Sequence, residues 1–277
     1  MPADDQRHAR AALTALSSTI PLSATPSPIN PAELWARLAP HYPGIDPAQL
    51  LDSASAEGWQ LLIPGDPWWP AVLDTVSAGP VGLWVRGAGD LPNLIRRSVT
   101  VVGGLFSTDH GERITHHLVW DLTTPSATRP VAVASGNLGS GVNVTAVRVA
   151  AAHGRAVAVL SSTRSLTQLH RACVDEVAEG GIVLCMAPPG LSPTAGHAQA
   201  RVRLLATLTD ATILVESAAR GATFATARVA HRYRRPVLVL PVPTTSALSA
   251  GPDALLRDGS AKRVISATEV LAILDQT

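Results

Sequence analysis

Six apolar runs recur from residue 98 onward: SVTVVG, PVAVASG, AVAVLSS, GIVLCMAP, ATILVES and PVLVLPV. None alternates apolar with polar positions, as strands buried on both faces do not. Amphipathic stretches at 109–122, 140–153, 166–180, 197–208 and 221–235 separate them. Strands alternating with helices predict an α/β domain with a doubly wound, mostly parallel sheet of the Rossmann-like type. The closing segment, PDALLRDGSAKRVISATEVLAILDQ, reads as helix, short strand, helix, with Thr268 or Ser266 placed to cap the final helix.

Residues 1–90 follow a different rhythm and read as a small N-terminal helical region, with the Rossmann-like core over 91–277. Helical periodicity covers 6–17, 31–39 and 46–57, the last after the helix-start pair Asp46-Pro47. A Pro/Ser linker, IPLSATPSPINP, interrupts them. The Pro and Gly spacing of LLIPGDPWWPAVLDTVSAGPVGLWVRG breaks any long element. It predicts short extended pieces packed by aromatic rings, since five of the six tryptophans (Trp35, Trp59, Trp68, Trp69 and Trp84) fall in this region.

Composition narrows the class. An apolar content of 46% over 277 residues supplies a sizeable core. No apolar run is long enough to span a bilayer, and MPADDQRHARAAL lacks the apolar stretch of a signal peptide, so a cytoplasmic protein is expected. Cys173 and Cys185 are too few for a disulfide scaffold or zinc cluster and read as buried, reduced thiols. Net charge is only +1, but Lys262 is the single lysine among 22 basic residues. Arginine suits phosphate because its planar fork offers several donors, although GC-rich coding produces the same bias. Between Gly196 and Pro241 seven arginines stand against one Asp and one Glu.

In an open parallel sheet, ligands gather beyond the carboxyl ends of the strands, where helix N-termini offer free N–H groups. The candidate loops follow Val102, Ser135, Leu160, Met186, Val215 and Pro241. The first carries Gly103 and Gly104, with Ser107 or Thr108 as a helix cap; it matches neither G-x-G-x-x-G nor a Walker A loop. The second holds Ser135, Gly136, Gly139, Gly141 and Asn143, an anion cradle by its glycines or a packing turn. The third set, Arg201, Arg203, Arg220 and Thr223, would grip a phosphodiester backbone, or form a solvated basic face. His231-Arg232-Tyr233-Arg234-Arg235 closes a helix, where cations favour the dipole. No metal-ligand spacing or hydrolase motif occurs, so no metal, cofactor or catalytic residue is expected. Glu216 is the best lone carboxylate for a general base, and equally a structural partner for the nearby arginines.

These motifs, in this order, resemble the DNA-processing protein A (DprA/Smf) family over about residues 58–275. The segments ALSAG-xx-ALL-x-DG and ES-xx-R-xx-T-xx-TAR carry the resemblance most fully. Elsewhere the chain diverges. Gly104-Leu105 stand where the family reads Ser-Arg, Asn143 replaces Asp, and Val147 replaces His. Of F-P-x-R-N-R only Arg201 and Arg203 remain, with Ala198, Gln199 and Val202 at the other positions, and S-G-S becomes Gly221-Ala222-Thr223. The resemblance implies a non-enzymatic homodimer that binds single-stranded DNA and assists a RecA-type recombinase in recombination or DNA uptake. Arg201, Arg203, Arg220 and Thr223 would then hold phosphates, and the N–H groups around Gly136–Gly141 and Gly103–Gly104 would complete the pocket. Two other functions fit the same sequence. One is a Rossmann-like nucleotide sensor or phosphoribohydrolase using Glu216, although the P-G-G-x-G-T-x-x-E loop of such enzymes is missing. The other is a degenerate paralogue acting as an interaction scaffold.

Overall fold

The computed structural model describes residues 3–16, 30–76, 79–124, 129–136, 138–164, 166–243 and 245–276. Most of the Pro/Ser linker and Asn137 of the second loop lie outside them. Helix α1 (Ala3–Leu16) is followed by α2 (Pro31–Leu38) and α3 (Pro47–Ala56). Asn30 and Asp46 accept hydrogen bonds from first-turn amides of α2 and α3, and a proline opens each helix. That pairing satisfies donors the helix leaves open, with a residue whose φ is already helical. Two short strands, β1 (Gln60–Leu62) and β2 (Leu83–Gly87), precede the short helix α4 (Leu91–Ile95).

From there strand and helix alternate as the apolar rhythm predicts. The first half comprises β3 (Ser98–Val102), α5 (Asp109–Thr123), β4 (Ala132–Gly136), α6 (Val142–Ala151), β5 (Ala156–Leu160) and α7 (Gln168–Glu179). The second comprises β6 (Gly181–Cys185), α8 (Ala195–Leu208), β7 (Ala211–Leu214), α9 (Gly221–Arg232), β8 (Val237–Val239), α10 (Ala250–Arg257), β9 (Lys262–Arg263) and α11 (Ala267–Leu274). Ser266 caps α11, accepting from the Glu269 amide.

The nine strands form one sheet in the order β1-β2-β6-β5-β4-β3-β7-β8-β9. The seven strands from β6 to β9 in that order run parallel, while β2 pairs antiparallel with both β1 and β6. Residue 90, the expected domain boundary, therefore lies between two strands of a continuous sheet. Every residue of β3, β4, β5 and β6 is buried. Val99, Val101, Val133 and Ala158 pack with α5, α6, α7 and α11 on one face. Val102, Ala134, Val157 and Val159 pack with α8, α9 and α10 on the other. The strands at the two margins are only three and two residues long. Arg7 of α1 donates to the Leu61 carbonyl of β1, and β9 exposes Lys262 and Arg263.

Helix α1 is pinned to this sheet. Its last turns are rich in alanine, and Ala11, Ala12, Leu13 and Thr14 are buried. The indole N–H of Trp84, a fully buried ring, donates to Thr14 Oγ1 at 2.9 Å. Trp59 and Trp69 are also buried, whereas Trp68 is half exposed and α2, which carries Trp35, buries none of its residues. The Arg7 guanidinium meets Asp66 at 2.8 Å.

His197, fully buried in the first turn of α8, completes the anchor. Its Nε2 donates to the Thr14 carbonyl at 2.9 Å, while Nδ1 accepts from the Thr194 amide at 3.2 Å. Burial pulls its pKa below the ordinary histidine value, against the opposing pull of the Thr14 carbonyl. The unfolded chain therefore takes up the proton first, and stability falls as pH drops below about 6.5. Denaturant titrations at pH 7.5 and 5.5 should show this loss, reduced in His197→Gln; equal acid sensitivity in the variant would remove His197 as its source. Both cysteines are free and buried, and burial pushes the Cys185 thiol up to about 12, as an inert core residue requires.

Candidate nucleic-acid interface

Strand order reverses at β3: β4, β5 and β6 follow on one side and β7, β8 and β9 on the other. Such a reversal opens a crevice beyond the carboxyl ends of the two central strands. The loops after β3, β4 and β7 meet there, and most of their polar groups are engaged with one another. The Gly103 N–H donates to Asn143 Oδ1 at 3.0 Å, and its carbonyl accepts from Asn143 Nδ2 at 3.2 Å and Thr223 Oγ1 at 2.8 Å. The Gly104 N–H donates to the Glu216 carbonyl at 2.5 Å. Ser135, also buried, donates through Oγ to the Val101 carbonyl at 2.6 Å. The side chains of Ser135, Asn143 and Thr223 and the amides of Gly103 and Gly104, expected as ligand donors, are thus spent within the protein. Backbone groups leaving a parallel ladder need partners when buried, and these residues supply them. Gly103 is required by proximity, since a Cβ there would lie 2.5 Å from Val142 Cβ.

Glu216 has a similar fate. It is fully buried, and its carboxylate accepts from the Thr108 amide at 2.8 Å and the Thr108 hydroxyl at 2.6 Å. Gly111 of α5 packs so closely that a Cβ would fall 2.5 Å from the carboxylate. Both oxygens are occupied and shielded from the crevice. The residue ties the end of β7 to the start of α5 and is not placed to act as a general base.

The arginines separate into two positions. Arg201, on α8, lies partly buried over the ends of β4 and β5, with Nε donating to Ser161 Oγ at 3.1 Å. Gly136 makes room for it: a Cβ there would sit 2.7 Å from Arg201 Nη1 and 2.8 Å from the Val159 carbonyl. Burial lowers the pKa of Arg201. Arg7, Arg86, Arg97, Arg129, Arg148, Arg228 and Arg235 each face an Asp or Glu, but among the described residues no carboxylate pairs with Arg201. Arg203 instead borders a groove between α8 and α9 with Gln199, Val202, Ala222, Arg232 and Tyr233. Gly221, in the left-handed region at φ +88°, lines the same groove, and its neighbour Arg220 is exposed. Arg203 and the start of α9 thus share a concavity that Arg201 does not line. A two-residue step on a helix turns side chains apart in this way.

Helix starts sharpen the picture. Thr108, Thr167, Thr194 and Ser266 cap α5, α7, α8 and α11 through their hydroxyls. Helices α6 and α9, which leave β4 and β7, begin on Gly141 and Arg220 with no side-chain cap. First-turn amides without a cap are an anion site by geometry and dipole. Gly141 takes φ +71°, and a Cβ there would meet Ser107 Oγ at 2.3 Å. Gly139 is held from outside, its carbonyl 3.2 Å from His170 Nε2. No cluster of metal-ligating side chains occurs among the described residues, and no helix there is long and apolar enough to cross a membrane.

Sheet order and crevice define a Rossmann-like, doubly wound α/β protein whose topological switch point lies at β3, with Arg201 over the neighbouring ends of β4 and β5. Residues 60–275 match the family model of DNA recombination-mediator protein A, so the chain belongs to that family. It is 32% identical over 224 residues to the DNA processing protein DprA of Mycobacterium tuberculosis, a match taking in 76% of this chain and 56% of that protein. Protein Smf of Synechocystis is 28% identical over 239 residues, covering 83% of this chain and 58% of the relative. The chain thus spans little more than half the length of these relatives. Among solved structures, DprA of Streptococcus pneumoniae superposes with a TM-score of 0.72 at 23% identity, covering 96% of this chain and 92% of that one. DNA processing protein A of Helicobacter pylori, described for its single-stranded-DNA binding mode, gives 0.67 at 21% identity, covering 79% and 96%.

Proposed function

We propose that this chain binds single-stranded DNA along the carboxyl ends of β3, β4 and β7 and serves a RecA-type recombinase as a mediator, acting as a cytoplasmic homodimer and not as an enzyme. The observation that carries this reading is Arg201. A partly buried guanidinium with no carboxylate partner among the described residues is costly to hold, and a phosphate from outside would supply the missing charge. Arg203 and Arg232 line the α8–α9 groove, exposed Arg220 adds charge next to its Gly221, and the uncapped starts of α6 and α9 add backbone donors. Gly136, Gly139 and Gly141 serve it by letting the backbone and Arg201 approach closely. Membership of the recombination-mediator family and the binding described for the Helicobacter pylori relative favour the same ligand. The buried, doubly occupied Glu216 argues against the phosphoribohydrolase alternative.

Fluorescence anisotropy with a labelled single-stranded oligonucleotide, repeated across salt concentrations, tests the reading. Three arginine–phosphate contacts give log Kobs against log salt a slope of about −2. Binding that ignores salt, or a response to free nucleotides with none to the oligonucleotide, would refute it.

A further inference from the structure

The β3–α5 loop carries two large apolar side chains into solvent: Leu105 is 51% exposed and Phe106 80% exposed. Phe106 is one of two phenylalanines in the chain, and the other, Phe224, packs against the core. Its exposure does not come from a loose loop, because the backbone around it is held at several points. The Leu105 carbonyl accepts from Ser140 Oγ at 2.8 Å, and Ser107 Oγ donates to Glu112 at 2.7 Å. Gly104 and Thr108, on either side, are bound to Glu216. The loop tip is thus fixed between the β4–α6 loop and the end of β7, with an apolar ring directed outward. The uncapped start of α6 stands beside it, through the contact of Ser107 with Gly141.

We propose that Phe106 is a stacking platform for a nucleobase of the bound single strand, with Leu105 as its apolar shoulder. This rests on the single-stranded-DNA reading above and adds base contact to it. A phenyl ring has no donor or acceptor, so the surface it offers to a polynucleotide is its π-face, which accepts any base. Its position beside the uncapped amides of α6 lets one nucleotide place its phosphate on the backbone donors and its base on the ring. A loop held in advance lowers the ordering cost of that contact.

The test compares wild type, Phe106→Ala and Phe106→Trp on two oligonucleotides of equal length, one with bases and one abasic. Stacking predicts that Phe106→Ala weakens the base-bearing strand about tenfold, keeps the salt slope, and leaves the abasic strand at its wild-type affinity. Phe106→Trp should bind as wild type does, and its added emission should be quenched by the base-bearing strand alone. Wild-type affinity in Phe106→Ala for the base-bearing strand would overturn the platform and leave the DNA reading standing. Equal losses on both strands would overturn it as well, marking a structural effect. Loss of recombinase binding with DNA binding intact would reassign the surface to a protein partner. If wild type itself binds neither strand at any salt, the DNA reading falls, and the platform with it.

Discussion

Glu216→Ala is expected to lower the free energy of unfolding by about 3 kcal/mol, the sum of a buried cavity and two abandoned donors. The amide and hydroxyl of Thr108 both donate to this carboxylate, and Thr108 in turn caps α5 through the Gly111 amide. Removing the acid leaves the capping residue itself without support, and the ends of β7 and α5 lose their link. Glu216→Gln keeps the volume and an acceptor, so a loss of about 1 kcal/mol is expected. Chemical denaturation of the three proteins measures the difference. If Glu216→Ala stays within 1 kcal/mol of wild type, the carboxylate is not the anchor described here.

The second large effect divides stability from binding. Arg201→Met replaces a partly buried cation, paired with no acid among the described residues, by an apolar side chain of similar reach. Replacing buried charge in this way is often neutral or stabilising. Unfolding free energy should therefore hold or rise by about 1 kcal/mol, while affinity for single-stranded DNA falls at least about tenfold and the salt slope loses about 0.7. Anisotropy and denaturation on the same preparation report both quantities. A variant that is destabilised yet binds normally would show that Arg201 holds the fold and not the ligand.

The sheet was largely legible because its strands are buried on both faces. An apolar run such as AVAVL or GIVLC admits few other placements between amphipathic stretches. The motifs that carry the family resemblance, over about residues 58–275, likewise coincide with the stretch that matches the family, residues 60–275. Less legible were the destinations of individual polar side chains. Ser135 near the end of β4, and Asn143 and Thr223 in the first turns of α6 and α9, border glycine-bearing turns where sequence reads them as ligand donors, yet each satisfies a carbonyl or amide at a strand end. Whether such a group faces inward depends on neighbours distant in sequence, which no local pattern encodes. The same reason separates Arg201 from Arg203: their spacing shows that they diverge, but not that Gly136 leaves space for one of them. Phe106 carries no such mark, because a single aromatic in a loop has no periodicity. Its one signal was a bulky ring among Gly, Ser and Thr, where the turn itself needs none.

The margins of the sheet bear on how two copies would associate. One outer strand is masked by an arginine that occupies a carbonyl; the other is a two-residue stub bearing Lys262 and Arg263. Neither offers the long, bare row of amides and carbonyls on which a neighbouring chain could zip. The two short margins thus disfavour edge-to-edge pairing of sheets between copies, and with it open-ended fibre growth.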